Sequence, residues 1–179
     1  MADAKPRVPA ARPVFYFDVG SPWCWIAGER VNHALGQVPE WVPVLAAPME
    51  VDRGEVERRA AALELPQVRW PDAFPFDSRT AMLAATFAKQ SGRVVAYSLA
   101  AMRQAFAAGR DLSVTDNVLI AAAACELHPR ALLKGVELRS VGDALDRAAA
   151  EAGVRSVPAL AIDGRVLDDA ADLAGAGVL

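Results

Sequence analysis

A serine and a cysteine three residues apart, in Ser21-Pro22-Trp23-Cys24, stand directly after the apolar run Val14-Phe15-Tyr16-Phe17-Asp18-Val19-Gly20. The run alternates and is rich in aromatic and β-branched types, which predicts a buried strand. Ser-Pro predicts the start of a helix, with Ser21 as N-cap and Pro22 at the first helical position, where its missing N–H costs nothing. Such a junction can hold an anion, because the first helical turn has unpaired N–H groups and the positive end of the helix dipole. A thiolate brought there is stabilised, and the Ser21 hydroxyl is one more donor to it.

Each residue also has a plainer reading. Serine is a common N-cap whatever the function. On the predicted helix Cys24 shares a stripe with Ala27, Gly28, Val31 and Leu35, a core-facing spacing that makes it a small buried hydrophobe; its place in the first turn pulls its pKa down and makes it a candidate nucleophile. Trp23 and Trp25 flank the junction, either as walls of an acceptor pocket or as core. Cys125 follows an apolar helical face where burial is the default. His33 and His128 are expected near helix C-termini, where a partly charged imidazole is favourable without chemical work.

These residues need a scaffold. The first helix is expected from about Pro22 to Leu35, ending near Gly36, and a second strand over Trp41–Leu45, placed at a sheet edge because Pro43 donates no ladder hydrogen bond. Apolar spacing of three and four predicts helices near 53–65, 79–91, 93–108, 115–127 and 140–152, with Gly92, Gly109 and Pro129 as breaks. Between the first two lies an aromatic loop, Trp70-Pro71-Asp72-Ala73-Phe74-Pro75-Phe76. At the end of the chain, Asp163-Gly164 between Pro158–Ile162 and Arg165–Leu167 predicts a hairpin, followed by a short helix from about Asp169.

Composition bounds the partners. With 179 residues the chain is long enough for one self-supporting core, and a net charge of −3 argues against nucleic acid or an anionic membrane as partner. The two cysteines and two histidines have no metal-ligand spacing. No apolar run is long enough for a membrane span, and Met1–Pro13, which lacks the apolar run of a signal peptide, reads as a loose tail on a cytoplasmic protein.

Asp18-x-x-Ser21-Pro22-Trp23 after an aromatic strand, with Gly153-Val154-Arg155-Ser156-Val157-Pro158 at the far end, resembles the DsbA-like thioredoxin-fold superfamily. The likeness is closest to its branch of 2-hydroxychromene-2-carboxylate isomerases and kappa-class glutathione transferases. Ala81-Met82 through Ala88 and Ala105 through Leu112 are similar to that branch's helical insertion. The resemblance implies an α/β thioredoxin-like fold with a helical insertion: a single domain over 14–179, with thioredoxin-like parts at about 14–48 and 153–179 and the insertion at about 49–152. It implies glutathione as cosubstrate, its sulfur held by Ser21 where thioredoxin-fold oxidoreductases carry the first cysteine of Cys-x-x-Cys. It further implies a cis-proline at Pro158, Val157 pairing with the glutathione backbone, Trp23 toward the acceptor, and dimerisation.

The chain departs from that branch after the hairpin, where Gly-x-Asp-Arg is replaced by Asp168-Asp169-Ala170-Ala171-Asp172, and at Asp77, where the isomerases carry an amide. The leading expectation is a glutathione-dependent isomerase or transferase on a small aromatic electrophile. Two others stand beside it: a thiol-disulfide oxidoreductase working through Cys24, and a non-catalytic binding protein on the same fold.

Overall fold

In the computed structural model, which describes residues 11–179, the sheet has four strands in the order β2-β1-β3-β4. Strand β1 (Val14–Phe17) leads through α1 (Pro22–Ala34) to β2 (Glu40–Pro43), which pairs parallel to it with Phe15 opposite Trp41. Strand β3 (Ala159–Ile162) adds antiparallel on the other side of β1, with Phe15 opposite Leu160, and β4 (Arg165–Leu167) closes a hairpin onto β3. The hairpin turn has Asp163 and Gly164 both at positive φ, 50° and 75°, the backbone that a two-residue turn matching the strand twist requires. Helix α8 (Ala170–Gly175) follows, capped by Asp169, which accepts from the Asp172 N–H at 2.8 Å.

Between β2 and β3 run α2 (Arg53–Ala62), α3 (Arg79–Gln90), α4 (Val94–Phe106), α5 (Thr115–Ala123), α6 (Pro129–Val136) and α7 (Arg139–Glu151). Helix α6 corrects the sequence reading. Pro129 does follow the end of α5, but it also occupies the first turn of a helix that the sequence reading left out, where proline fits best. His128 is accordingly not near a helix C-terminus: it is the N-cap of α6, and its Nδ1 accepts from the Arg130 N–H at 3.2 Å. The first ten residues of the expected tail lie outside the described residues. Arg12, read with that tail, instead donates to the carbonyls of Val38 and Pro39, and Pro13 O accepts from the Glu40 N–H.

The core forms where one face of the sheet meets the helices. Phe15 and Phe17 project from alternate positions of β1 and both pack edge-on against Trp41, with ring centroids 4.8 and 5.2 Å away. All three are buried, and each contributes about 1.5–3 kcal/mol by leaving water. Helix α1 lies over them, and α4 packs on α1 where Gly28 leaves room: a Cβ there would stand 3.0 Å from Met102 and 3.2 Å from Trp41. Helix α3 touches α4, α5, α6, α7 and β2; its buried alanines, Ala81, Ala84, Ala85 and Ala88, allow that many neighbours to approach.

The tightest of these approaches is between α6 and α3, where the backbone at Gly135 lies against the Phe87 ring. Any Cβ at Gly135 would overlap that ring. Gly135→Ala is expected to cost about 1–3 kcal/mol. At about 2–4 °C per kcal/mol for a chain of this size, melting followed by circular dichroism should fall by several degrees, and Phe87→Ala in the same chain should recover part of the loss.

Candidate functional site

Ser21 caps α1 with extended backbone, and its Oγ accepts from the Cys24 N–H at 3.3 Å. Its own N–H donates to the Asp18 carbonyl at 3.1 Å, so the corner from β1 into α1 is a closed turn. The corner opens onto a cavity of about 260 Å³. Ser21, Pro22 and Trp23 form one wall, the strap Ala46–Met49 with Val51 a second, Phe76 and Ser78 before α3 a third, and Arg155, Ser156 and Val157 the fourth. Of the residues picked out from sequence, Ser21, Trp23 and Val157 are thus brought together, with the buried Pro158 next to Val157 through a cis peptide bond.

Cys24 and the two tryptophans separate. Trp23 faces the cavity, whereas Trp25 is buried, stacks on Phe106 at 6.2 Å and donates from its indole to Glu29 at 3.1 Å. Cys24 is fully buried behind the corner, its Sγ accepting from the Asp18 N–H at 3.4 Å. Burial pushes its thiol up to about 12, and the Asp18 N–H and the Ser21 hydroxyl only partly counter this. The pKa lowering expected from its first-turn position is therefore reversed: desolvation of a thiolate outweighs the helix N-terminus. Cys125 is also free and buried, so at neutral pH neither cysteine offers a thiolate to the cavity.

Two carboxylates hold the walls. Asp18, at 2% exposure, accepts from the Gly20 N–H at 2.7 Å with one oxygen and from the Ala46 N–H at 2.8 Å with the other. Gly20 lies so near α3 that a Cβ on it would stand 2.9 Å from the Ser78 Cβ, which brings the third wall to the same carboxylate. Burial raises the Asp18 pKa; the Ala46 and Gly20 amides and the Ser78 hydroxyl pull it down without offsetting that, and Asp77 pushes it further up. The Asx-type turn from Asp18 to Gly20 was readable in Asp-x-Gly, but the long-range bond to Ala46 had no sequence signal.

The fourth wall hangs from Asp168. Its carboxylate accepts from the Arg155 backbone N–H at 3.0 Å, from Nε at 3.2 Å and from Nη2 at 2.5 Å, and its carbonyl accepts from the Ser156 hydroxyl at 2.8 Å. The Arg155 guanidinium holds the Asp168 carboxyl down at about 2. No group of three or more His, Cys, Asp or Glu among the described residues could hold a metal ion, and no helix among them is long and apolar enough to cross a membrane.

Residues 14–176 match the DSBA-like thioredoxin domain. Among solved structures the chain is similar to a 2-hydroxychromene-2-carboxylate isomerase at 15% identity, with 87% of each chain covered and a TM-score of 0.76. It is also similar to the cytosolic disulfide reductase DsbM from Pseudomonas aeruginosa, at 16% identity, 87% of each chain and a TM-score of 0.66. A structure of that reductase with GSH matches at 17% identity over 91% of this chain and 92% of the other, with a TM-score of 0.64. Comparison with curated proteins gives no match.

The Asp168 clamp has a pH signature. A carboxyl held at about 2 when folded, against an ordinary value of 3.8, adds stability above about pH 4 and loses it as the pH falls through 2. Urea unfolding of the wild type and Asp168→Asn between pH 2 and 6 should give midpoints that differ most at pH 5–6 and converge toward pH 2.

Proposed function

The chain belongs to the DSBA-like thioredoxin domain family, and on that footing we propose that it is a glutathione-dependent isomerase or transferase acting on a small aromatic electrophile. One observation carries this reading. Ser21 at the start of α1 and Val157 beside the cis Pro158 face a common cavity, while Cys24, the thiol closest to the corner in sequence, is buried and kept protonated. A nucleophilic sulfur at this corner must then arrive with a ligand. That the similar folds include an isomerase and a disulfide reductase, one of them in a structure with GSH, supports an enzyme of thiol chemistry.

Glutathione as cosubstrate would supply the thiolate. Ser21 receives the sulfur: its oxygen accepts from Cys24 N–H, its hydroxyl proton turns from the neutral Cys24 thiol to the incoming thiolate, the stronger acceptor, and the first turn of α1 adds its partial positive charge. Together they lower the pKa of a bound thiol and hold the sulfur still for attack. Val157, which precedes β3, offers main-chain groups to the peptide portion as a strand neighbour would. Trp23, Met49, Val51 and Phe76 give the acceptor side an apolar lining suited to an aromatic ring.

The thiol end of glutathione fits this donor set, and the γ-glutamyl end meets an arrangement of its own. Asp168 is taken up by Arg155, whereas Asp169 gives one oxygen to the cap of α8 and keeps the other exposed. The groups that line the cavity itself for the thiol and peptide portions are Ser21 and Val157. Thiol-disulfide exchange through Cys24 has the burial of that sulfur against it.

Calorimetric titration of reduced glutathione, with thiolate absorbance followed in the ultraviolet, tests the reading. The wild type should bind at micromolar to low-millimolar concentration with a thiolate signal. Ser21→Ala should bind about 10–100-fold more weakly and lose the signal, since a hydrogen bond to a charged group contributes about 1.5–3 kcal/mol. Cys24→Ala should keep both. No binding by the wild type, or loss of the signal in Cys24→Ala with retention in Ser21→Ala, would overturn the proposal.

A further inference from the structure

We infer that Asp18 is the positioning residue of the cavity: its ionised carboxylate ties the Ser21 corner to the Ala46–Met49 strap beside Ser78, and a proton on it undoes that tie. The inference goes beyond the glutathione reading and does not depend on which ligand the cavity takes.

The geometry is specific. The two carboxylate oxygens serve different segments, Oδ1 the Gly20 N–H at 2.7 Å and Oδ2 the Ala46 N–H at 2.8 Å. Gly20 precedes Ser21 directly, and Ala46 opens the strap whose Met49 is 69% exposed at the cavity rim. A carboxylate accepts with both oxygens; a carboxylic acid turns one of them into a donor. Protonation therefore leaves Gly20 or Ala46 with a poor partner and converts the surviving bond from charge-assisted to neutral, roughly half as strong. Among the described residues no other side chain bridges these two amides.

The surroundings decide where this happens. Asp18 is withdrawn from water, which favours its protonated form. From α1 it meets the Cys24 thiol, which stays neutral; from the N-terminal end of α3 it meets the Ser78 hydroxyl and the negative charge of Asp77. Across the cavity stands Arg155, whose guanidinium is paired with Asp168, and the strap contributes its backbone amide. Release therefore falls at a pH above the ordinary aspartate value of 3.8. Asp77, itself exposed and accepting from the Arg79 N–H at 2.8 Å, sets part of that position.

Backbone amide NMR of the free protein across pH 3.5–8 tests this without any ligand. The Gly20 and Ala46 amide protons, far apart in sequence, should shift with one shared midpoint above 3.8, and the Trp23 indole proton should follow them. Asp77→Asn removes a like charge at the surface and should move the shared midpoint to lower pH while the spectrum otherwise keeps its dispersion. Asp18→Asn should abolish the shared transition. Separate midpoints for Gly20 and Ala46, a midpoint that Asp77→Asn leaves in place, or a transition that survives in Asp18→Asn would overturn the inference. Should Asp18→Asn not fold, the wild type and Asp77→Asn decide it alone.

Discussion

A carboxylate withdrawn from water and shared between two backbone amides is the constraint on which this site depends. Burying an isolated charge is costly, and hydrogen bonds to the charged form recover only part of the cost. At Asp18 the balance stays on the unfavourable side, as the direction of its pKa shows. The chain thus keeps at neutral pH a group that lowers its overall stability, since raising the pH through a raised carboxyl pKa favours the unfolded state. What the fold gains is definition: strand β1, helix α1, the strap after β2 and the approach to α3 meet at one side chain. A hydrophobic residue there would pack without joining them.

Asp168 is the counterpart with the opposite sign. Its carboxyl is depressed because a guanidinium and a backbone N–H of Arg155 stabilise the anion, so its charge favours folding above the acid range. Both carboxylates do the same mechanical work, one at each end of the chain, by different electrostatics. Between them lies a cavity whose lining includes neither cysteine. Cys24 has the sequence position of a reactive thiol in the first helical turn, but its Cβ points into the core. Orientation, not proximity to the helix N-terminus, decides its pKa.

Much of this was legible in the residues. The strand, the Ser-Pro cap, the edge strand marked by Pro43 and the Asp163-Gly164 hairpin are each specified by local chemistry, and local chemistry survives folding. The DsbA-like plan of strand, helix, strand, helices, hairpin and helix followed from them and from the resemblance. Pro129 misled because proline ends one helix and begins another by the same missing N–H. The placement of His128 failed with it. At the site, Ser21, Trp23 and Val157 were readable from their motifs, whereas the Ala46 strap and the Arg155–Asp168 clamp were not: a hydrogen bond between residues 28 positions apart leaves no periodicity behind.

The topology has a consequence for how the protein is made. Strand β2 follows β1 after a single helix, but the other neighbour of β1, β3, is translated only after the six helices α2–α7. Until then one edge of an apolar central strand has no partner, and the cavity lacks its fourth wall. Non-local pairing of this kind is slow, and an open apolar edge is prone to aggregate. A chain cut before Ala159 would lack the antiparallel partner of β1 and, with it, the fourth wall of the cavity.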